Sequence, residues 1–395
     1  MFSVEAKRIL AMMRKLGINE AGKNQQFEVI DLFSGCGGLS FGFHELEKTI
    51  GAFKIAAAID IDDHANATYE DNYGFSPKAL DMQSLSAREI VKKLTLGESE
   101  GRIVVGGPPC VAFSSHKKKD KRTDARSSLV VRFAKIAVAL KPSLILMENV
   151  PDLLGTRHWN HFNRFRQVLE RAGYTLRLCI ANMAEFGVPQ ARHRLICIAV
   201  RKGMPSLPTG HRSDYDFSTV RDAIGNLRPL EAGESCPDDP MHITSRHRQS
   251  TVDLIRQIPR DGGSRPKGLG PKCLDKVKGF SDVYGRLHWD RPSVTLTARC
   301  RTPSCGRYVH PEQHRGLSVR EAALLQSFPP SFYFSGPFDD KFKQIGNSVA
   351  PLFSLALAVH TAGILTGKVR SDSRTSQLPP DKPTFRSFSG FIANR

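Results

Sequence analysis

Between Phe27 and Arg201, short apolar runs alternate with segments of helical periodicity. The apolar runs cover 27–30, 54–59, 103–105, 144–147, 175–180 and 195–200, and helical candidates between them include 127–140 and 160–172. This alternation is typical of βαβ units, in which helices cover both faces of a mostly parallel sheet. We therefore expect an α/β fold with a mostly parallel sheet and helices on both of its faces.

The composition changes after Val200, where Gly, Pro, Arg and Lys become frequent and periodicity weakens. The 395 residues are enough for a large domain and a smaller one. We expect an amphipathic extension over 1–26, the sheet domain over 27–201 and a small loop-rich domain over 202–345. A helix over 346–367 then returns to the sheet domain, and 368–395 form a basic, poorly ordered tail.

The chain is strongly basic, with 57 Lys and Arg against 39 Asp and Glu, a formal charge of +18. Nucleic acid is the first candidate partner, and a generally basic protein is the alternative. The 8 cysteines contain no C-x-x-C pair, and no signal peptide or apolar stretch of about 18 residues is evident. We expect a reducing, cytoplasmic location and no membrane association.

A glycine turn follows the first apolar run, where 31–38 read DLFSGCGG before a helical pattern. Such a turn lets backbone N–H groups approach a ligand, although it also suits a purely structural turn. Asp60 ends the second run and is well placed to accept hydrogen bonds from ribose hydroxyls. The absence of G-x-G-x-x-G disfavours a nicotinamide dinucleotide.

A single cysteine follows another strand-like run, because 102–110 read RIVVGGPPC. Pro108 and Pro109 restrict the backbone before Cys110, so the thiol is held in a defined direction. A thiolate in such a place suits nucleophilic catalysis, and a buried structural cysteine is the alternative.

Glu148 follows the apolar run 144–147, so its carboxyl group is expected at the carboxyl-terminal edge of the sheet. Arg192 and Arg194 alternate just before another strand, and residues two apart on an extended segment share a face. Both guanidinium groups could then address one pocket. A plain strand end and a solvated basic edge are the respective alternatives.

Two basic segments are candidates for DNA contact. The segment 116–122 reads HKKKDKR directly after the cysteine motif, where a mobile loop could close on phosphates. The segment 246–278 carries nine basic residues against three acidic ones, nine minus three giving +6. Solvated surface charge is the alternative for both.

Six motifs, in the family's order, resemble those of the C5-cytosine DNA methyltransferases. They are DLFSGCGG at 31–38, GPPC at 107–110, ENV at 148–150, QARHR at 190–194, RPSVTLT at 291–297 and GNSV at 346–349. The resemblance implies an S-adenosylmethionine-dependent methyltransferase fold. Its sheet is expected to be Rossmann-like, mixed and mostly parallel, and a small loop-rich target-recognition domain accompanies it. The resemblance makes Cys110 the nucleophile, brings Glu148 to N3 and the amino group of the base, and favours Arg194 over Arg192 for direct contact.

Further site residues are expected from the resemblance, from the position of Asp60 after the second strand and from the position and charge of the two basic segments. Those for S-adenosylmethionine are Phe33, Gly35, Gly37, Gly38, Asp60, Ile61, Asp81, Met82, Pro109, Asn347, Ser348 and Val349. Those for DNA are Ser114, Ser115, Lys117, Lys118, Lys119, Lys121, Arg122, Arg246, Arg248, Arg265, Lys267 and Lys272. Cys300, Cys305, His310 and His314 are spaced too closely for a zinc finger, so no metal is expected.

The resulting functional expectation is a DNA (cytosine-5-)-methyltransferase of a bacterial or phage restriction–modification system. It would methylate a flipped cytosine of a specific double-stranded DNA sequence and act as a monomer, alongside a cognate restriction endonuclease. One alternative is the tRNA-methylating branch of the family, whose Cys-Phe-Thr signature is absent from this sequence. A catalytically idle DNA-binding homologue is the other alternative.

Overall fold

A computed structural model gives the structure of this chain. It describes residues 2–15, 17, 26–97, 99, 101–109, 129–271, 273–276, 282–369 and 381–393. The chain forms two compact units, here called the sheet unit and the second unit. The sheet unit comprises Lys7–Asn182, His193–Gly210 and Ser354–Arg395, and the second unit comprises Met1–Ala6, Met183–Arg192 and His211–Phe353.

The sheet unit is built on a seven-stranded sheet within the described residues, in the order β3-β2-β1-β4-β5-β7-β6. Strand β7 runs antiparallel to both of its neighbours, and the other pairings are parallel. The strands are β1 Phe27–Leu32, β2 Phe53–Asp60, β3 Lys78–Ala79, β4 Arg102–Gly106, β5 Leu144–Asn149, β6 Thr175–Asn182 and β7 His193–Val200. The expected mixed, mostly parallel α/β sheet is confirmed.

Helices follow most of these strands. They are α1 Phe2–Lys15, α2 Ser40–Ile50, α3 Asp63–Tyr73, α4 Ala87–Leu94, α5 Leu129–Ala139 and α6 Trp159–Arg171. Asp62 caps α3 by accepting a hydrogen bond from the backbone N–H of Ala65, and Ser86 and Glu89 form a capping box at α4. Strands β4 and β5 are almost entirely buried, which explains their continuous apolar sequence.

The strand order reverses at β1, which pairs with β2 on one side and with β4 on the other. In open parallel sheets, ligands bind at the carboxyl ends of the strands beside such a switch point. Because these strands are parallel, the segments that follow Leu32, Asp60 and Gly106 leave the sheet at one edge. We call this edge the carboxyl edge.

The second unit is smaller in sheet content and rich in turns. It contains the strands β8 Ser235–Cys236 and β9 Asp239–Ile243, which pair with each other. Its helices are α7 Val220–Ile224, α8 Gln249–Arg256, α9 Cys273–Lys276, α10 Val319–Leu325 and α11 Phe338–Asn347, after which α12 covers Pro351–Leu365. The expected domain boundaries at 201/202 and 345/346 differ from those of the two units. The units divide at 6/7, 182/183, 192/193, 210/211 and 353/354.

Two segments in the C-terminal part of the chain bear on the expectations about membrane association and about the tail. Within the described residues, the stretch Phe338–Leu365, which contains α11 and α12, is long and apolar enough to cross a membrane by length and composition alone. Most of its apolar part is buried within the protein, as in a helix of the core. Part of the expected disordered tail is folded, since residues 381–393 are described and include α13 Phe388–Ala393.

Candidate active site

The glycine turn after β1 adopts a backbone that ordinary side chains avoid. Phe33 has a φ of 64°, Gly35 of 51° and Gly37 of 87°. A left-handed backbone at a residue such as Phe33 is costly and concentrates at functional sites. A Cβ atom on Gly37 would overlap the ring of Tyr73, whose hydroxyl donates a 2.7 Å hydrogen bond to the Gly37 carbonyl. The Tyr73 side chain therefore packs closely against the turn and is hydrogen-bonded to it.

Asp60, at the end of β2, is fixed by backbone N–H groups. One carboxylate oxygen accepts from Gly35 at 2.8 Å, and the other accepts from Ile61 at 2.7 Å and Asp62 at 3.0 Å. Burial raises the pKa of Asp60, and these hydrogen bonds oppose the shift. Ile61 is 64% exposed beside it. An oriented carboxylate next to an exposed apolar side chain suits a ribose with an attached base.

A buried hydrogen-bond chain lies under the same loop and was missed by the sequence reasoning. Ser40 donates to Asp31 at 2.6 Å, and the Tyr69 hydroxyl donates to Ser40 at 2.8 Å. Complete burial raises the pKa of Asp31 to about 7, with the Asp60 charge adding to the effect. The available signal was the charged residue Asp31 inside the apolar run 29–32 of β1.

The other predicted cofactor residues of the sheet unit lie in the segments that leave the carboxyl edge. Asp81 follows β3 and accepts a 2.8 Å hydrogen bond from the Gln83 N–H. The Met82 side chain is buried in the core, and its carbonyl accepts from Arg132. Pro109 is exposed after β4. The backbone near Met82 and the ring of Pro109 are thus the parts available to a ligand.

Glu148 and Arg194 meet at the ends of β5 and β7. Arg194 Nε lies 2.9 Å from Glu148 Oε1, and the two side chains are only 12% and 11% exposed. Burial lowers the pKa of Arg194, and the Glu148 carboxylate opposes this shift. The register explains the pair, because Glu148 lies opposite Ile196 and therefore shares a face with Arg194.

The loop that leads to Cys110 lies beside this ion pair. A Cβ atom on Gly107 would come within 3.4 Å of Glu148 Oε2. Asn149, the next residue of β5, donates a 2.8 Å hydrogen bond to the carbonyl of Pro108. Asn149 was not among the predicted site residues, although it stands inside the ENV motif. One strand end thus holds both the carboxylate and the cysteine-bearing loop.

Arg192 has different partners from Arg194. In the second unit it donates to the carbonyls of Leu296 at 2.7 Å, Gly346 at 2.9 Å and Ser348 at 3.3 Å. Gln190 donates to the Gln326 side-chain oxygen at 2.6 Å. These contacts fix the GNSV segment, so that the predicted cofactor residues Asn347, Ser348 and Val349 lie at the end of α11 within the second unit. The expectation that both arginines address one pocket is therefore kept for Arg194 alone.

The predicted DNA-contacting residues fall into three groups. Arg246, Arg248 and Lys267 are exposed in the second unit. Arg265 is instead paired with Asp275 at 2.8 Å, with its side chain 8% exposed. The remaining predicted residues lie outside the described residues, as does Cys110: Ser114, Ser115, Lys117, Lys118, Lys119, Lys121, Arg122 and Lys272.

The cysteine–histidine pattern near residue 300 has protein partners. His310 accepts from the backbone N–H groups of Glu312 and Gln313, and the His314 ring lies 3.0 Å from Arg286. Cys300 is buried, whereas Cys305 is exposed. Among the described residues, no group of three or more His, Cys, Asp or Glu side chains is arranged to hold a metal ion.

Comparisons with known proteins show which family the chain belongs to. The chain is 33% identical to Type II methylase M.HgiDII of Herpetosiphon aurantiacus, over 86% of this chain and 96% of that protein. It is 32% identical to Type II methyltransferase M1.HphI of Haemophilus parahaemolyticus, over 83% and 85%. A crystal structure of a protein assigned as a prophage-encoded DNA modification methyltransferase of E. coli matches with a TM-score of 0.62 and 26% identity, covering 86% of this chain and 99% of that one. The family model for C-5 cytosine-specific DNA methylase matches residues 27–360, and the chain belongs to this family.

Proposed function

We propose that this protein transfers a methyl group from S-adenosylmethionine to C5 of a flipped cytosine in double-stranded DNA. The observation that carries the proposal is the 2.9 Å Glu148–Arg194 ion pair beside the loop that leads to Cys110. Family membership makes DNA cytosine the substrate to test first. The pair supplies a fixed carboxyl group and a fixed positive charge where a pyrimidine ring needs both.

The chemistry explains why such a pair is useful. C5 of cytosine is a poor nucleophile, so a group must first add to C6. The Cys110 thiolate forms a bond to C6, and the C5=C6 π electrons move into the ring while N3 gains a proton. C5 of this adduct would then bond to the methyl group as the bond between that group and the sulfonium sulfur of S-adenosylmethionine breaks, so that S-adenosylhomocysteine leaves. Loss of the C5 proton restores the double bond and breaks the bond between sulfur and C6.

Glu148 is the proposed partner of N3 and the exocyclic amino group. Its Oε1 is held by Arg194 Nε, and its Oε2 faces the side of Gly107. A carboxyl group that is fixed before the base arrives loses little entropy when it binds. Arg194 balances the carboxylate charge in this half-enclosed place, and its remaining N–H groups are suited to the O2 atom of the base.

The carboxyl edge fits S-adenosylmethionine by shape and donor chemistry. When bound, S-adenosylmethionine supplies an electrophilic methyl group. The Gly35–Gly37 turn presents backbone close to a ligand, and the Asp60 carboxylate has lone pairs left for ribose hydroxyls. Ile61 offers an exposed apolar surface for an adenine ring. The proposed roles of Phe33, Gly38, Pro109 and 347–349 follow from the family motifs, and Asp81 and Met82 are proposed because they follow β3 at the carboxyl edge.

Access to C6 requires that cytosine leaves the duplex, because a stacked base presents only its edges. The basic segment 116–122 follows Cys110 directly in sequence, and we propose that it closes on the DNA backbone. Arg246, Arg248 and Lys267 are exposed and suited to phosphates or guanine edges. The Type II names of the relatives support a role in a restriction–modification system beside a cognate endonuclease.

The test uses tritiated S-adenosylmethionine with separate pools of double-stranded DNA and tRNA. We expect label in DNA and loss of labelling in Cys110→Ser, while Cys305→Ser, which removes an exposed thiol, stays active. A duplex containing 5-fluorocytosine should trap a covalent adduct of the wild-type protein, since fluorine cannot leave as a proton does. Label found only in tRNA would replace the DNA proposal with the tRNA alternative. Normal turnover by Cys110→Ser would remove the nucleophile assignment.

A further inference from the structure

The C-terminal segment 384–388 lies against the two strand ends that carry the Glu148–Arg194 pair. The family model ends at residue 360, so this segment lies beyond the part of the chain that the family shares. Thr384 donates to the Leu154 carbonyl at 3.2 Å, and the Thr156 N–H donates to the Phe385 carbonyl at 3.0 Å. The segment is therefore paired with the turn that directly follows β5.

Gly155 makes this pairing fit. It forms a parallel bridge with Phe385. A Cβ atom at position 155 would come within 3.2 Å of the Phe385 carbonyl oxygen and 3.3 Å of the Arg386 carbonyl oxygen. Only a residue without a side chain lets the two backbones approach this closely without adjustment. A Cβ atom at position 155 would also come within 3.1 Å of the Asp152 carbonyl oxygen, so the glycine suits both the turn itself and its close approach to the C-terminal segment.

Phe388 contacts both strand ends at once. Its N–H donates to Asp152 Oδ1 at 3.2 Å, four residues after Glu148 in the chain. Its ring lies 5.2 Å from the ring of His193, the residue before Arg194. Phe385 and Phe391 complete an aromatic cluster around it, with ring centroids 5.9 Å from Phe388 in both cases. Phe388 therefore links the turn after β5 to the first residue of β7.

These contacts support the strand ends from the side opposite the ion pair. Side chains alternate along β7, so His193 and Leu195 face away from Arg194. Leu195 belongs to the core cluster that also contains Leu153 and Leu154, and Phe385 packs against this cluster. The Glu148–Arg194 pair thus stands on one face of the strand ends, and the C-terminal segment covers the other.

We propose that segment 384–388 positions the Glu148–Arg194 pair for methyl transfer, with Phe388 as the positioning residue. This inference rests on the proposed function of the pair. An error of about 1 Å in the placement of a catalytic group can cost about a hundredfold in rate. Two strand ends linked on one face keep their side chains on the other face at a fixed separation.

The test measures the single-turnover rate of methyl transfer and, separately, the affinities for S-adenosylmethionine and DNA. For Phe388→Ala we expect a loss of about tenfold or more in the rate, with both affinities within about twofold of wild type. Phe388→Tyr keeps the ring and should restore the rate to within about twofold. Phe391→Ala is the matched control, because it removes a ring of the same cluster, packed against Phe385 and Phe388, and leaves the Phe388 ring and N–H in place.

A second pair of variants tests the hydrogen bond. Asp152→Asn keeps a side-chain oxygen that can accept from the Phe388 N–H, whereas Asp152→Ala does not. We expect the alanine variant alone to lose rate by about threefold to tenfold, in line with about 1 kcal/mol for one hydrogen bond. All assays are run at a temperature where circular dichroism shows every variant folded. A Phe388→Ala variant that melts earlier but transfers methyl at the wild-type rate would make the segment purely stabilising and overturn the proposal.

Hydrogen exchange separates this inference from the proposed function. In Phe388→Ala we expect faster exchange at the backbone amides of 150–156 and 193–194, and in Phe391→Ala we expect wild-type exchange there. If the wild-type protein methylates no nucleic acid, the proposed function fails, and the exchange measurement still decides whether the segment orders these strand ends. Unchanged exchange in Phe388→Ala would overturn the positioning role by itself.

Discussion

The carboxyl edge of the sheet unit and the arginine-rich second unit use polar residues in different ways. At the carboxyl edge, backbone N–H groups orient the Asp60 carboxylate and leave lone pairs for a ligand. In the second unit, Arg265 forms an ion pair with Asp275, whereas Arg246 is exposed to solvent. A strand followed by a glycine turn dictates where its polar groups point. A count of arginines does not say which of them are available.

Buried arginines make this difference larger. Arg286 is fully buried and donates to the carbonyls of Ile255 at 2.8 Å and Ile258 at 3.1 Å, among other acceptors. Arg315 is also fully buried and pairs with Glu321 at 2.7 Å. Part of the formal charge of +18 therefore holds the second unit together. Net charge pointed to a polyanionic partner, but it overstates the number of cations that face one.

The largest expected effect tests whether Asp31, under the glycine turn, stays protonated at pH values where an ordinary carboxyl group is ionised. Burial raises the pKa of Asp31 to about 7, whereas an unfolded Asp titrates near 4. Between these values the folded protein holds a proton that the unfolded chain has lost, so stability should fall as pH rises. The slope approaches about 1.4 kcal/mol per pH unit and levels off above the folded pKa. Asp31→Asn should remove it.

Denaturant unfolding of the ligand-free protein between about pH 5 and pH 8 measures this slope. Asp238→Asn removes an exposed carboxyl group and should keep the wild-type slope. If wild type and Asp31→Asn lose stability in parallel across this range, the acid at the carboxyl edge is ionised like any other. The carboxyl edge and the second unit would then both contain buried side chains that are charged.

The next effect concerns the glycine turn, where we expect Gly37→Ala to weaken S-adenosylmethionine binding by about a hundredfold. A left-handed φ costs an alanine about 1–2 kcal/mol, and the added methyl group also overlaps the Tyr73 ring. Gly74→Ala is the control, because Gly74 has a φ of 64° and an added methyl group there would meet no described atom within 4 Å. Calorimetric titration should show normal affinity for Gly74→Ala. Equal affinities in both variants would mean that the turn is structural only.

Much of the sheet could be predicted because strands that are covered on both faces of a sheet need apolar residues on both faces. The predicted run 54–59 became β2 Phe53–Asp60, and the run 195–200 became β7 His193–Val200. The insertion of β7 between β5 and β6 could not be read from these runs. It depends on pairings such as Glu148 with Ile196, which no local pattern specifies.

The candidate site also contains residues that could be predicted from the sequence and residues that could not. Glu148 and Arg194 could be predicted because each is tied to the end of a strand. The different fate of Arg192 could not, since its partners Leu296 and Gly346 are distant in sequence. The same holds for Phe388, whose contacts with Asp152 and His193 join the C-terminus to the middle of the chain. Local patterns identify a functional group, and long-range contacts decide what it faces.

The smallest expected effect distinguishes an exposed arginine of the second unit from an arginine that is already in an ion pair. Arg246→Ala should weaken DNA binding by about tenfold or less and reduce the slope of log affinity against log salt by about 1, because one phosphate contact is lost. Arg265→Ala should leave that slope unchanged. It should lower thermal stability instead, because Asp275 loses its ion-pair partner at 2.8 Å. Fluorescence anisotropy of labelled duplex DNA at several salt concentrations measures both slopes. A reduced slope for Arg265→Ala with none for Arg246→Ala would reverse the assignment, since the ion pair with Asp275 would then have to open on DNA.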